Sequence, residues 1–197
     1  MLLKLFYEEI LRQCDFVIMA FNDLEKLLQK RHEKMIADIQ RGHIDIDPDR
    51  TFDHSETITR VFLLLQTILI SCANLSKIFW PSSMSDKNKK KECDERGKNL
   101  RKELDIGDDH VLKNRIMRNS FEHFDERLHS WFNESEHHNF LDTNIGPLGA
   151  VGGIATKDIM RWYDPVRHWL IFRGTVYKLN EVIIAVKKLR ETIINHI

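Results

Sequence analysis

Apolar residues recur at every third or fourth position from residue 2 to about residue 41. This period places them on one face of an α-helix, because a helix turns once in about 3.6 residues. Gly42 follows the last of them and supplies a stop. The pattern predicts one long amphipathic helix, whose inward face carries Leu3, Phe6, Ile10, Cys14, Val17, Phe21, Leu24 and Leu28.

A second helical pattern follows the polar loop HIDIDPDRTF. Asp53 and Glu56 have the spacing of a capping box, and Pro81 stops the pattern after Phe79. The span 61–80 approaches the length of a helix that crosses a membrane. We nevertheless predict a buried bundle helix and no membrane association, because the span is interrupted by Gln66, Ser71, Asn74 and Lys77.

Two more helices are predicted before residue 135. One covers about residues 88–104, with a charged surface and with Leu100 and Leu104 facing inward. The other begins at an Asp108 cap and continues to about Asn133. Its apolar stripe consists of Met117, Phe121, Phe124, Leu128 and Trp131. Four helices joined by short links favour an antiparallel helical bundle in a mainly α protein.

The pattern changes after residue 135. Residues 136–157 are rich in glycine and lack a helical period, which predicts a loop, either a plain connector or a lid. No Gly-Lys-Ser/Thr follows these glycines, so the loop is not a phosphate cradle. Aromatic and β-branched segments at 159–163 and 168–172 flank a turn sequence, which predicts a small β-hairpin that ends at Gly174.

A last helix is predicted after the hairpin. Leu179 and Asn180 resemble a hydrophobic staple and an N-cap at its start. Its apolar face would carry Val182, Ile183, Val186, Leu189 and Ile193.

Length and charge narrow the class of protein. The 197 residues suffice for one domain with a sizeable core, and 30 basic residues balance 30 acidic ones. No overall field therefore draws the chain to nucleic acid or membrane, so RNA binding would need a local basic patch. The three cysteines are widely spaced and form no metal pattern, and the N-terminus does not resemble a signal peptide. We expect a cytoplasmic protein.

One arc of the fourth predicted helix is polar and lies opposite the apolar stripe. At about 100° per residue this arc holds Arg118, Asn119, Glu122 and His123. A histidine can take or supply a proton near neutral pH, and an arginine offers a permanent charge to phosphate oxygens. RNA carries its own nucleophile, the 2′-hydroxyl, so these groups suit phosphodiester cleavage in RNA. By spacing alone, a plain solvated helix face is the favoured interpretation, and a buried network of Arg118, Asn119 and His123 is a further alternative.

The stretch RNSFEHFDERL places an arginine, a polar residue, three further residues and a histidine in succession. This order resembles the signature of the HEPN superfamily at Arg118, Asn119 and His123. With RGKNLRKELDI before it and RWYDPVRHWLIFRG after it, the stretch is similar to HEPN proteins linked to bacterial abortive infection. The resemblance covers roughly residues 50–197.

The resemblance implies a single HEPN-like domain over residues 1–197. Its parts would be a four-helix core at 1–135, the glycine-rich loop at 136–157, the hairpin at 158–179 and the C-terminal helix at 180–197.

The same resemblance implies a metal-independent endoribonuclease without a cofactor, which leaves a 2′,3′-cyclic phosphate. Arg118 would stabilise charge on the phosphorus, His123 would act as acid and base, and Asn119 would support both. Two subunits of a homodimer would join their motifs into one composite site. The protein would act as a toxin or phage-defence effector, with an antitoxin or nucleotidyltransferase as a possible partner. The alternative is a non-catalytic HEPN module that binds a partner protein, a nucleotide or RNA.

Several other residues have two possible roles each. Glu122 pairs with Arg118 or tunes His123. Trp162, Tyr163 and Trp169 stack on bases or pack the hairpin against the bundle. The lysine run is either an RNA-binding patch or a solvated turn, and consists of Lys87, Lys89, Lys90 and Lys91.

Two further groups complete the candidates. His129, His137 and His138 lack carboxylate or thiol companions at ligand spacing, so no metal site is predicted. Leu112 and Ile116 lie in line with His123 and need to be covered, either by the hairpin or by a second subunit, and we favour the subunit.

Overall fold

A computed structural model describes residues 2–42, 48–82, 85–135, 138 and 140–196, without the side chains of residues 48–54. Helices α1 (Leu2–Gln40) and α2 (Pro48–Phe79) pack along each other and form the main core. The heptad-like apolar spacing of α1 buries Ile10, Val17 and Leu24 completely. The predicted long first helix is therefore confirmed.

Helix α2 begins earlier than its sequence pattern suggests. Because it starts at Pro48, Asp53 lies within the second turn, and the predicted capping box at Asp53 and Glu56 is wrong. Proline is favoured in the first helical turn, where its missing N–H costs nothing. Of the described helices, α2 alone has a stretch, Ser55–Phe79, with the length and composition of a membrane span. Just over half of its most apolar window, 56%, is buried in the protein.

Helix α3 (Lys87–Glu103) crosses the end of α2 and matches its prediction closely. Asp86 caps it, since its carboxylate accepts hydrogen bonds from the backbone of Asn88 and Lys89. The inward positions Leu100 and Leu104 are buried as predicted.

The predicted single motif helix is instead two helices, α4 (Ile116–Glu122) and α5 (Phe124–Glu134), which meet at His123. Asp108 is not their cap. Its carboxylate accepts from the Trp80 indole at 3.3 Å, while the Asn114 side chain accepts from the backbone N–H of Ile116 at 2.9 Å. The prediction failed because Asn114, which is also a good capping residue, lies next to the first helical turn.

The segment after α5 forms a four-stranded sheet in the order β1-β2-β3-β4. Strand β1 (Asn144–Ile145) runs parallel to β2 (Arg161–Asp164), and β3 (Trp169–Phe172) and β4 (Thr175–Lys178) follow antiparallel. The predicted hairpin is β2–β3, but the glycine-rich loop contributes the additional strand β1. The mainly helical class with a small sheet before the last helix is confirmed.

Gly174 continues the sheet and does not end it, contrary to the prediction. Arg173 and Gly174 have φ angles of 46° and 77°, and Phe172 pairs with Thr175 across them. Two consecutive residues with positive φ form a type I′ turn, whose twist suits a tight hairpin. The turn therefore adds β4.

The β2–β3 turn is fixed by the buried carboxylate of Asp164. It accepts hydrogen bonds from the backbone of Val166 and Arg167, from the backbone of Leu148, and from the Arg167 guanidinium. Burial by itself would raise the pKa of Asp164, but these hydrogen bonds outweigh it and lower the pKa. A carboxylate is thus stable in the interior of this turn.

Helix α6 (Leu179–Ile194) follows β4 directly and packs against α1. Its predicted apolar face is buried at all five positions. The predicted cap is wrong, because the helix already starts at Leu179 and Asn180 lies in its first turn. An ion pair between Arg190 and Asp15, 2.6 Å long, links α6 to α1.

All three cysteines are free thiols. Cys14 on α1 and Cys72 on α2 are buried, whereas Cys93 on α3 is half-buried. Burial, followed by the nearby Asp15 carboxylate, raises the pKa of Cys14 to about 12. Burial, followed by Cys14, also raises the pKa of Cys72.

Candidate functional site

The break at His123 is confined to that residue. His123 has φ −96° and ψ 41°, outside the helical range, yet helical backbone bonds flank it on both sides. Its N–H donates to the Asn119 carbonyl at 3.0 Å, and its own carbonyl accepts from Arg127 at 3.2 Å. The Ser120 hydroxyl donates to the Ile116 carbonyl one turn earlier, a contact that tends to bend helices. The chain therefore bends at the motif histidine.

Tertiary packing holds this bend in place. The Phe121 and Phe124 rings, one on each side of His123, both contact Phe172 of β3, with ring centroids 5.4 and 6.4 Å away. The Arg161 guanidinium lies 4.5 Å from the centroid of the Phe124 ring. The apolar stripe thus faces the core as predicted at these positions, and His123 is directed away from it.

Arg118, Asn119 and Glu122 form one polar cluster on α4. The Arg118 guanidinium donates to the Asn119 side-chain oxygen at 3.1 Å and forms an ion pair with Glu122. Its side chain is 20% exposed, against 46% for Glu122. Of the two interpretations of Glu122, the structure shows the pair with Arg118. The guanidinium is thereby oriented, and its charge is partly offset.

His123 belongs to a second cluster, on the first turn of α5. Its side chain is 58% exposed, and Nδ1 lies 3.3 Å from a carboxylate oxygen of Glu126. A carboxylate at Nδ1 favours the tautomer with a proton there, which leaves Nε2 as a base directed elsewhere. Glu126 is not among the site residues predicted from the sequence. Its spacing of three residues from His123 was the available signal.

No hydrogen bond joins Arg118 to His123 within the part of the chain that the structure describes. Neither residue is in the hydrophobic core. The motif therefore holds a guanidinium that is 20% exposed and an imidazole that is 58% exposed, each paired with its own carboxylate. A phosphate oxygen or a second motif would be required to bridge them.

An open pocket of about 500 Å³ lies between α2 and the start of the sheet. Arg161 lines it and also contacts Phe124, the residue after His123. Neither Arg161 nor the loop residue Thr143 was predicted as a site residue. Their meeting with α2 depends on the parallel β1–β2 pairing, for which the sequence pattern carries no signal. The lining residues are Ser55, Ile58, Thr59, Phe62, Leu63, Gln66, Thr143 and Arg161.

The four candidate lysines lie in the first turns of α3. Lys87, Lys89 and Lys91 are exposed, whereas Lys90 is half-buried and pairs with Asp94 at 2.5 Å. None of them forms a hydrogen bond or ion pair with Arg118, Asn119, Glu122 or His123. Their role in RNA binding stays a prediction.

The aromatic candidates on the hairpin are mostly structural. Trp162 and Tyr163 are buried, and the Trp162 indole donates to the Gly146 carbonyl at 2.6 Å. The packing interpretation is therefore confirmed for these two, and Trp169 is half-buried. Exposed stacking occurs elsewhere, between Phe132 of α5 and Phe140, whose ring centroids are 6.0 Å apart.

Two of the three histidines considered as metal ligands have a described placement. His129 is exposed and His138 stacks on Phe132 at 5.2 Å, while His137 lies outside the described residues. Among residues with a described placement, no group of three histidine, cysteine or acidic side chains could hold a metal ion.

The two apolar residues predicted to need covering differ in burial. Leu112 is buried within its own chain, so no partner is needed to cover it, but Ile116 is 60% exposed.

Comparison of the chain with protein-family models, with curated proteins and with solved structures gives no match. The case for a function therefore depends on the residues of this chain and on their geometry.

Proposed function

We propose that this protein is a metal-independent endoribonuclease of HEPN type, in which Arg118 and His123 cleave RNA. The observation that carries the proposal is the exposed imidazole of His123 at a helix break, five residues along the chain from an oriented Arg118 guanidinium.

The chemistry needs no external nucleophile. The 2′-oxygen forms a bond to phosphorus while the bond from phosphorus to the 5′-oxygen breaks, which gives a 2′,3′-cyclic phosphate and a 5′-hydroxyl. His123 Nε2 takes the proton of the 2′-hydroxyl, and a second imidazole gives a proton to the leaving oxygen. Arg118 donates to the phosphoryl oxygens as their charge develops, and Asn119 keeps the guanidinium oriented. To do so, Arg118 exchanges Glu122 for phosphate as its partner.

One motif supplies one histidine, so acid and base roles call for two copies. A homodimer that joins two motifs in a composite site would provide both. Ile116 supports this arrangement, because it is a large apolar side chain exposed on α4, two residues from Arg118. We further propose a cytoplasmic toxin or phage-defence effector, paired with an antitoxin or a nucleotidyltransferase.

The direct test is cleavage of a fluorescent single-stranded RNA in EDTA by the purified chain. Arg118→Ala and His123→Ala should each lower the cleavage rate by about a hundredfold or more, because each removes a group that acts in the transition state. Arg127→Ala and His129→Ala are matched controls, since both residues are exposed on α5 outside the motif clusters. Circular dichroism checks that each variant is folded, and mass spectrometry identifies the cyclic phosphate.

Undiminished cleavage by both motif variants would refute the proposed mechanism. A second candidate function is a non-catalytic module that uses the same surface to bind a partner protein, nucleotide or RNA. The observation in its favour is that Arg118 is already paired with Glu122 and has no hydrogen bond to His123. Absence of toxicity on expression, together with RNA binding that tolerates His123→Ala, would support this second candidate.

A further inference from the structure

The pocket between α2 and the start of the sheet has the size of a small-ligand site, at about 500 Å³. Its wall on α2 is amphipathic. Phe62 is buried, Leu63 is 61% exposed at the rim, and Gln66 is half-buried one turn further along. The Gln66 amide has no hydrogen-bond partner among the residues that the structure describes. The two N–H donors and the oxygen acceptor of the Gln66 amide are thus available to a ligand.

The opposite wall is rigid and electrically balanced. The Arg161 guanidinium binds the Asp142 carboxylate through two bonds, of 2.8 and 2.5 Å, which orients it and offsets its charge. It also lies 5.8 Å from the Phe62 ring and 4.5 Å from the Phe124 ring. Among the lining residues whose side chains the structure describes, Arg161 alone is charged, so this part of the pocket does not favour a phosphate group.

Thr143 in this wall holds an unfavourable backbone conformation. Its φ is 54°, in the left-handed region that β-branched residues rarely adopt. The Asp142 carboxylate stabilises it by accepting from the Thr143 backbone N–H at 2.8 Å. Conformations of this kind persist where the surroundings over-determine them, often at ligand sites. The strained residue borders the pocket itself.

We propose that this pocket binds one nucleobase of the RNA substrate and that Gln66 hydrogen-bonds to the edge of that base. The inference rests on the proposed ribonuclease function. A nucleobase is planar, uncharged and rich in donors and acceptors, which matches a neutral pocket with an apolar wall and a free carboxamide. The pocket is linked to the start of α5 by Arg161, which lines it and also contacts Phe124, the residue after His123.

The test measures base binding separately from cleavage. Adenosine, guanosine, cytidine and uridine are titrated to their solubility limits against the purified chain, with ligand-observed NMR as the readout. At least one nucleoside should bind, and the near-isosteric Gln66→Leu should raise its dissociation constant by about tenfold or more. Thr59→Phe, which fills the pocket from an exposed position on α2, should have the same effect.

Two variants serve as controls. Gln29→Leu makes the same chemical change at an exposed position on α1, outside the pocket, and should bind like the wild type. His123→Ala should also bind the nucleoside like the wild type, because it alters the cleavage motif alone. Affinity for a short single-stranded RNA should fall with Gln66→Leu in parallel, since the base belongs to the RNA.

The outcomes separate the two proposals. If the wild type cleaves RNA but binds no nucleoside, or if Gln66→Leu and Thr59→Phe bind normally, the base pocket is refuted and the ribonuclease remains. Binding that depends on Gln66 without any cleavage would refute the ribonuclease and keep the base pocket. Nucleoside binding without a parallel effect on RNA affinity would overturn the assignment to the RNA substrate.

Discussion

His110 connects the end of α2 to the segment that leads into the motif. Its Nδ1 accepts a hydrogen bond from the backbone N–H of Leu112 at 3.3 Å, and its ring stacks on Trp80 at 6.3 Å. Burial lowers the pKa of His110, Asp109 opposes this effect, and Lys188 of α6 adds to it, so the pKa in the folded protein is below the ordinary value. A protonated Nδ1 could no longer accept from Leu112.

The lowered pKa predicts a loss of stability in acid. The unfolded chain binds a proton at His110 more tightly than the folded protein does. The contribution of His110 to the free energy of unfolding is therefore complete above its ordinary pKa near 6.5, and it is lost as the pH falls toward the lower pKa of the folded protein. Urea unfolding at about pH 7 and pH 5 measures it. His110→Asn, whose side-chain oxygen can still accept from Leu112, should show a smaller drop in unfolding free energy than the wild type. His129→Asn should retain the full drop, and equal drops in all three proteins would contradict the prediction.

At the scale of single residues, the motif cation and imidazole each have a carboxylate partner. Glu122 offsets Arg118, and Glu126 orients His123. In the proposed ribonuclease, carboxylates in this position would repel RNA until a phosphate displaces one of them. The proposed enzyme would therefore favour a defined substrate, such as a strand held by one of its bases, over RNA in general.

Gly97 illustrates how elements are fitted together. A Cβ at this position of α3 would lie 2.6 Å from the Phe79 carbonyl oxygen and 3.0 Å from Cδ of Pro81. The close approach also allows the Arg101 guanidinium to donate to the same carbonyl. A backbone oxygen at the end of a helix cannot shift cheaply, so glycine is required here.

Gly97→Ala should therefore destabilise the protein, by about 1–3 kcal/mol, even though alanine favours helix by about 1 kcal/mol. Chemical unfolding of the purified variant provides the measurement. Gly152→Ala is the matched control, because a Cβ there meets nothing within 4 Å and φ is not positive. An unchanged or raised stability of Gly97→Ala would mean that α3 can move away from α2.

Elements set by local spacing could be predicted from the sequence. Helix α1 and the buried face of α6 follow from apolar residues at helical intervals, and the β2–β3 hairpin follows from its turn residues. Strand β1 could not be predicted, because two residues carry no period and their pairing with β2 is a long-range contact. Strand β4 was missed because, of its four residues, Tyr177 alone is buried.

The candidate site also has features that the sequence predicts and features that it does not. The motif residues are predicted from the resemblance to a family signature, and the Arg118–Glu122 pair follows from helical spacing. The bend at His123 does not, since it depends on Phe121 and Phe124 packing against Phe172, about fifty residues away in the chain. The pocket at Thr143 and Arg161 likewise exists only once the sheet has formed.

For the whole molecule, the proposed homodimer makes Ile116 a decisive position. Ile116→Asp would place a charge in an interface beside the motif, and burial of an unpaired charge is strongly unfavourable. We expect the wild type to have the mass of a dimer in light scattering, and the variant to be a monomer with little cleavage. Ile184→Asp is the matched control, because Ile184 is 67% exposed on α6, and it should stay dimeric. A monomeric wild type that cleaves RNA would refute the composite site.

The two buried thiols, on α1 and α2, can report when these two helices separate. Burial and the raised pKa values leave Cys14 and Cys72 almost without thiolate at neutral pH, whereas Cys93 is partly accessible. An aromatic disulfide reagent should therefore titrate one thiol quickly in native buffer and the other two only as the helices separate. The slow phase then times the separation of α1 from α2 without any added label. Rapid reaction of all three thiols would mean that these helices part far more often than their packing implies.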